Sequence, residues 1–237
     1  MDFAKISTMG QDYALYSQKY GESSNIDFSK PGALLYPSIT ADFAVSGIKN
    51  GTVTTADSYT SAICAAAYLL EKRGLPLSEI SFETANGNIE IFNTGVGEYL
   101  LKLNKCKLLY TKSTCIEGTA VDFCDVLCSA LCRVAFVPPD AVVRPELARV
   151  LTVSSDRMPS AVVFAAAPNE VGEIPKIRSY SAHSAAPPSR AAICAATAYA
   201  AYISGLSKSG LVSFPSGARA VTGFSSVELH AAAHVVE

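Results

Sequence analysis

The sequence predicts an α+β fold of two pseudo-symmetric halves, each a curved, mostly antiparallel sheet wrapped around one central Ala-rich helix. Three observations carry that expectation. The phrase "SAICAAAYLL" at residues 61–70 returns as "AAICAATAY" at residues 191–199. Around each copy lie short alternating segments separated by turn residues, the pattern of antiparallel strands. Alanine on nearly every face of both stretches implies a helix covered on most sides, because small side chains let strands come close.

A chain of 237 residues can bury one large core or two of about 100 residues each. The repeat divides it into an N-terminal half, 1–115, and a C-terminal half, 116–237, meeting near "KSTCIEGTA" at residues 112–120. In the first half "AKIST" and "DYALYS" alternate as strands about the turn-former Gly10. Alternation resumes in "ITADFAVSGIKNGTVTTA", where Asn50-Gly51 is the strongest short hairpin signal. A helix from about Tyr59 to Arg73 follows, stopped by Gly74 with Pro76 beyond, and preceded by the capping residues Asp57 and Ser58. "ISFETANGNIEIF" then reads as a hairpin over Asn86-Gly87, and "EYLLKLN" as a further strand.

The second half follows the same plan. "LCRVAFV", "SAVVFAAA" and "KIRSYSA" are strands, with a short helix over "RPELARVL". A helix from about Arg190 to Ile203 is led in by Pro187, Pro188 and Ser189 and stopped by Gly205. "LVSFPSGARAVTGF" closes as a hairpin over Ser216-Gly217.

Composition excludes several classes. Apolar residues make up 49% and charged residues 17%, which is globular and not disordered. A net charge of −2 leaves no basic face for nucleic acid and no polybasic surface for anionic lipid. Asp2 and Lys5 interrupt the start before any apolar run forms, so no signal peptide is expected. The Ala-rich stretch from Ala191 to Leu206 is shorter than the ~20 residues that span a bilayer. Seven cysteines, an odd number, read as reduced thiols of a cytoplasmic protein better than as a disulfide framework.

Two helices that start across a shared cleft would aim free backbone N–H groups at one anionic ligand, suited to a carboxylate. Ser58 and Ser189 occupy corresponding places before Cys64 and Cys194. Arg190, at the second helix start, offers a guanidinium for an organic acid, or is a solvated surface charge. Cys64 and Cys194 lie well inside their helices and read as small core residues. Cys124, Cys128 and Cys132 recur every fourth residue and would share one face of a helix, again as core thiols. His230 and His234 have the spacing of a helical metal pair, but without a third ligand at the chain's end they read as a surface tail, and no metal site is expected.

The opening "MDFAKISTMGQDYALYS", the segment "YLLEKRGLPLSEISFETANGNIEIF" and the run "IRSYSAHSAAPPSRAAICAATAYAAYISGL" with "VSFPSGARAVTG" resemble diaminopimelate epimerase over most of the chain. The resemblance implies two pseudo-symmetric α/β halves with the active site between them. It also implies a catalytic cysteine at the start of each helix, in a Cys-Gly-Asn-Gly or Cys-Gly-Thr-Gly motif. One acts as thiolate base and the other as thiol acid on opposite faces of Cα, without pyridoxal or metal. Aligned by the helices, the first motif falls on Ser58-Tyr59-Thr60-Ser61 and the second on Ser189-Arg190-Ala191-Ala192. Both cysteines are serine and every motif glycine is gone. A serine hydroxyl needs a neighbouring base to act, and Asp57 and His183 are the candidates in sequence.

The family's Gly-Asn-Asp-Phe corresponds to Gly10-Gln11-Asp12-Tyr13, which keeps an amide in Gln11. Its Glu-Arg pair, which grips the ammonium and carboxylate of the amino acid, falls on Ser181 and Ala182, and its Asn-Pro-His turn near Ala130-Leu131-Cys132. Diaminopimelate has two charged ends that need partners this chain lacks. The resemblance therefore implies a divergent cofactor-independent isomerase, a racemase, epimerase or tautomerase of a small carboxylic or amino acid, and not a diaminopimelate epimerase. Ser58 and Ser189 are its candidate catalytic residues, with Gln11, Tyr59, Thr60, Arg190 and Ala191 for binding. The expected partner is a small carboxylate-bearing molecule, with no cofactor and no nucleic acid or membrane, and homodimerisation left open. The competing reading is a catalytically degenerate homologue that binds an organic acid or serves as an interaction protein, with Ser58 and Ser189 as helix caps.

Overall fold

The computed structural model describes residues 2–18, 29–54, 58–85, 87–104, 106–116, 118–127, 131–137, 147, 149–151, 159, 161–166, 176–181, 184–185, 193–194, 196–198, 211–214, 217–222 and 226–236. Strands dominate, with few helices. The chain forms two compact units, Met1–Lys102 with His230–Glu237, and Leu103–Leu229.

In the first unit β1 (Asp2–Thr8) and β2 (Gln11–Ser17) form a hairpin whose last pair is Thr8 opposite Gln11. The two-residue turn is Met9-Gly10, with φ of 50° and 74°. Strand β2 runs parallel to β3 (Gly32–Tyr36), and β3 antiparallel to β4 (Phe43–Lys49). Asn50-Gly51, with φ of 51° and 79°, turns β4 into the short antiparallel β5 (Thr52–Thr54). Both turns have two consecutive positive φ values, the geometry that matches the twist of a tight hairpin. After the helix, β6 (Glu79–Thr84) lies parallel to β4, and β7 (Gly87–Gly95) and β8 (Glu98–Asn104) continue antiparallel. The last strand of the chain, β17 (Ser226–Val236), pairs with both β8 and β1. The ring β1-β2-β3-β4-β6-β7-β8-β17 thus closes on itself.

The helix α1 (Ser58–Ala67) packs against β1, β2, β3, β4, β6 and β7. Ala62, Ile63, Cys64, Ala65, Ala66 and Ala67 are all fully buried, so no face of this stretch meets water. Its small side chains are what let strands approach on every side. At Gly47 of β4 an added Cβ would stand 3.2 Å from the Ser61 hydroxyl and from the Thr54 methyl, so the helix and strand lie close enough that either neighbour would have to give way. The helix continues as one π turn, Tyr68–Lys72, in which the Arg73 N–H donates to the Tyr68 carbonyl at 3.0 Å, and Gly74 ends it at a φ of 65°. The expected span, Tyr59 to Arg73, is therefore met to within a residue at each end.

In the second unit β9 (Lys107–Ile116) and β10 (Thr119–Leu127) form a hairpin with a bulge at Asp125 and Val126. Strand β10 is antiparallel to β11 (Leu131–Val137), and β11 parallel to β12 (Ala161–Ala166). Strand β12 is antiparallel to β13 (Lys176–Ser181), which pairs antiparallel with the short β14 (Ser184–Ala185) and parallel with β15 (Leu211–Ser213). Antiparallel β16 (Arg219–Thr222) completes the described strands of this unit. Ile193, Cys194, Ala196 and Thr197 are helical and buried, and residues 147 and 149–151 are helical where "RPELARVL" was expected to be. Leu151, Phe123, Phe164, Val162 and Ala135 share one apolar cluster. The stretch 112–120, where the halves were expected to meet, is the β9–β10 hairpin.

Three expectations are corrected. Cys124 and Cys132 lie on strands β10 and β11 and not on one helix. The chain reverses between them, so the spacing of four reports neither a helix face nor a strand face. His230 and His234 belong to β17, an 11-residue strand paired with β1 and β8, and not to a frayed tail. Cys106 is disulfide-bonded, whereas Cys64, Cys115, Cys124, Cys132 and Cys194 are free, so the reading of seven reduced thiols fails at Cys106. No helix among the described residues is long and apolar enough to cross a membrane.

Candidate functional site

Ser58 is the first residue of α1, one position before the expected start at Tyr59. A helix start leaves backbone N–H groups without intrahelical partners and carries the positive end of the helix dipole. Among the described residues no acidic side chain occupies the first turn. Tyr59 and Thr60 are buried, at 7% and 1% exposure.

The β1–β2 turn lies against this first turn. The Thr60 hydroxyl donates to the Met9 thioether, Oγ1 to Sδ at 3.8 Å, and Met9 is itself buried. On the other side of the turn the Thr8 hydroxyl donates to the Ala232 carbonyl at 2.7 Å, fixing the end of β1 to β17. Gln11 follows the turn with an exposed side chain, and the Tyr13 hydroxyl donates to its Oε1 at 3.4 Å. Beside it, Asp12 pairs with Lys5 at 2.6 Å, and the Lys5 ammonium holds the carboxyl below its usual value. The fold thus brings Thr60 against Met9, in the turn that precedes Gln11. Two adjacent φ values above zero with a non-glycine first were the signal that could have found Met9, and sequence does not display them.

Ser189, Arg190 and Ala191 lie outside the described residues, as do Asp57 and His183. Ser181, at the position of the family's glutamate, ends β13, and Leu131 begins β11. Near the second Ala-rich stretch, Thr197 donates to the carbonyls of Ile193 and Cys194, and Thr222 donates to the Thr197 carbonyl.

The strongest polar cluster of the second unit was not anticipated. Arg133 and Asp125, both fully buried, form a two-point ion pair, Nε to Oδ1 at 2.7 Å and a second guanidinium nitrogen to Oδ2 at 2.9 Å. The Tyr110 hydroxyl donates to the same Oδ2 at 2.6 Å, and the third guanidinium nitrogen donates to the Leu151 carbonyl. The guanidinium also lies 4.6 Å from the Phe123 ring centre. Burial pushes the Asp125 carboxyl up, but hydrogen bonds from Arg133 and Tyr110 outweigh it and hold the carboxyl below its usual value. Burial likewise works against the Arg133 charge, and the Asp125 hydrogen bond and charge more than restore it. Nearby, burial raises the Cys124 and Cys132 thiols to about 12, so neither supplies a thiolate near neutral pH. The cluster is closed to solvent, and its chemistry is that of a structural pin. Among the described residues no group of three His, Cys, Asp or Glu side chains could hold a metal ion.

No protein-family model and no curated protein matches this chain. Solved structures do match it over nearly its whole length. A phenazine biosynthesis PhzC/PhzF protein from Clostridium difficile (strain 630) is similar with a TM-score of 0.71 and 10% identity, over 99% of this chain and 96% of that one. A phenazine biosynthesis PhzF-family protein from Enterococcus faecalis gives a TM-score of 0.70 and 11% identity, over 99% and 96%. A hydroxyproline epimerase from Agrobacterium vitis, solved with trans-4-OH-L-proline, gives 0.64 and 14%, over 99% and 88%. The chain shares the fold of these PhzF and hydroxyproline epimerase structures.

Proposed function

We propose that this protein is a divergent cofactor-independent isomerase, a racemase, epimerase or tautomerase of a small carboxylic or amino acid, and not a diaminopimelate epimerase. The observation that carries the reading is the full-length likeness of fold to PhzF proteins and to a hydroxyproline epimerase. The succession of pairings supports it as a duplicated scaffold. From β1 to β7, pairing runs antiparallel, parallel, antiparallel, then a short antiparallel strand, then parallel and antiparallel again. From β10 to β16 it follows the same order.

Moving a proton on or off carbon next to a carboxylate needs an acid–base pair and a partner for the charge that develops on the carboxylate oxygens. The positive end of the α1 dipole and the Gln11 carboxamide are suited to hold that carboxylate. Ser58, with Ser189 on the sequence reading, takes the positions of the proton-transfer groups, each working through a neighbouring base because its own hydroxyl is too weak an acid. Arg190 and Ala191, with Tyr59 and Thr60, complete the proposed binding set.

The test is deuterium wash-in at carbon next to the carboxylate, across a panel of amino and dicarboxylic acids in D2O. Exchange that both Ser58→Ala and Ser189→Ala abolish supports the isomerase. The second reading, a binding module without catalysis, is favoured by serine at both family cysteine positions and by the burial of Tyr59 where the motif has glycine. Thermal stabilisation by an acid without wash-in would select it.

A further inference from the structure

We infer that Met9 is a positioning residue that fixes where Gln11 presents its carboxamide beside the start of α1, a role that rests on the ligand site proposed above. The argument begins with two turns of the same geometry. Asn50-Gly51 and Met9-Gly10 both carry two positive φ values, 51° and 79° against 50° and 74°. At the first position of such a turn asparagine is favoured, because its short polar side chain tolerates the left-handed region, whereas an unbranched apolar side chain gains nothing there. Asn50 fits that rule and is exposed. Met9 breaks it, and its side chain is 5% exposed.

A residue held in a sparsely populated conformation persists when its surroundings fix it from several sides, and local sequence rules fail mostly where a site demands it. Met9 meets that description. Its sulfur accepts the hydroxyl of buried Thr60 on α1, while the preceding residue, Thr8, is tied to Ala232. The turn is therefore held by contacts with the helix and with β17, in addition to its own hairpin. The residue that leaves this turn is Gln11, whose Oε1 is already occupied by the Tyr13 hydroxyl. With its oxygen so engaged, the exposed Gln11 side chain keeps its amide N–H groups as donors, the polarity a carboxylate requires. Met9 touches no ligand in this account. It sets the register of the group that does.

The experiment compares the full-length chain with Met9→Asn, Met9→Leu and Thr60→Val. The ligand-free readout is NMR of the Gln11 side-chain amide, with the Asn50-Gly51 turn as internal control. Expected is a loss of order and a shift of the Gln11 amide signals in Met9→Asn and Thr60→Val, with the Asn50 signals unmoved and Met9→Leu nearer to the wild type. Gln11 signals identical in all four chains would overturn the inference and leave Met9 as core filling. Should Met9→Asn fail to fold, Thr60→Val, which removes only the donor hydroxyl, decides by the same criterion. With any acid that the wild type binds, Met9→Asn is expected to lose affinity by about tenfold, the scale of one hydrogen bond to a charged group. Undiminished affinity would also overturn the inference. A wild type that binds no acid of the panel refutes the site itself, and the Gln11 signals still decide whether Met9 orders the turn.

Discussion

The β1–β2 pair of the first unit and the β10–β11 pair of the second can be compared position by position. Strands β1 and β2 close at Thr8 and Gln11; β10 and β11 close at Leu127 and Leu131. Two residues back from each turn, the first unit pairs Ile6 with Tyr13 and the second pairs Asp125 with Arg133. All four side chains are buried. The first pair is mostly apolar packing, with the Tyr13 hydroxyl bonded to Gln11, and asks mainly for volume. The second removes two charges from water, which is tolerable only because the geometry is two-pronged and Tyr110 and the Leu151 carbonyl take up the remaining capacity. The same place in two similar hairpins thus does two jobs: filling a core in one, and in the other tying β9, β10, β11 and the helical residues 149–151 together.

Breaking that difference should produce the largest effect. Arg133→Ala is expected to lower stability by about 3–5 kcal/mol, because it leaves the Asp125 carboxylate buried without its partner. Chemical denaturation measures it. The double variant Asp125→Leu with Arg133→Met, which makes the second hairpin apolar like the first, should recover most of that loss.

The ion pair also sets a pH dependence. The Asp125 carboxyl is held below its ordinary value in the folded chain. Its contribution is therefore fully present above the unfolded value of about 3.9 and is lost as pH falls through the lower folded value. Acid unfolding of the wild type should steepen in that range, and the double variant should lack the steepening. On the apolar side of the comparison, Ile6→Val should cost about 1 kcal/mol, the price of one buried methylene, with no change in acid behaviour.

Two smaller effects separate burial from exposure. Cys115 is exposed, whereas Cys64, Cys124, Cys132 and Cys194 are buried and the Cys124 and Cys132 thiols are raised to about 12. Alkylation of the native protein at mild pH, followed by peptide mass spectrometry, should label Cys115 well before those four. Asn50→Gly, in an exposed turn that either residue suits, should change stability by no more than about 0.5 kcal/mol, read from the shift in melting temperature.

Much of the first unit was legible because its signals are local. Asn50-Gly51 specifies a turn by its own backbone preference, Gly74 stops a helix for the same reason, and alternation marks strands whose partners need not be known. The pin escaped notice for the opposite reason. Asp125 and Arg133 stand in apolar strands where a charge reads as a surface residue or an irregularity, and only the register of β10 against β11 makes them one group. Cys124 and Cys132 went astray because a regular spacing does not show where one strand ends and the next begins. At the candidate site, Gln11, Tyr59 and Thr60 came from resemblance, and Met9 had no sequence signal other than its misfit in a turn.

The sequence alone determined the α+β class, most of the described strands and the Ala-rich helix with its start and stop, since these follow from preferences expressed within a few residues. Tertiary structure alone decided that the final strand closes the first ring, that a buried ion pair pins the second unit, and that Thr60 meets the Met9-Gly10 turn. Each of those joins residues far apart in the chain or faces that periodicity does not label. Their energy exists only once the strands are in register, so no local preference can announce them.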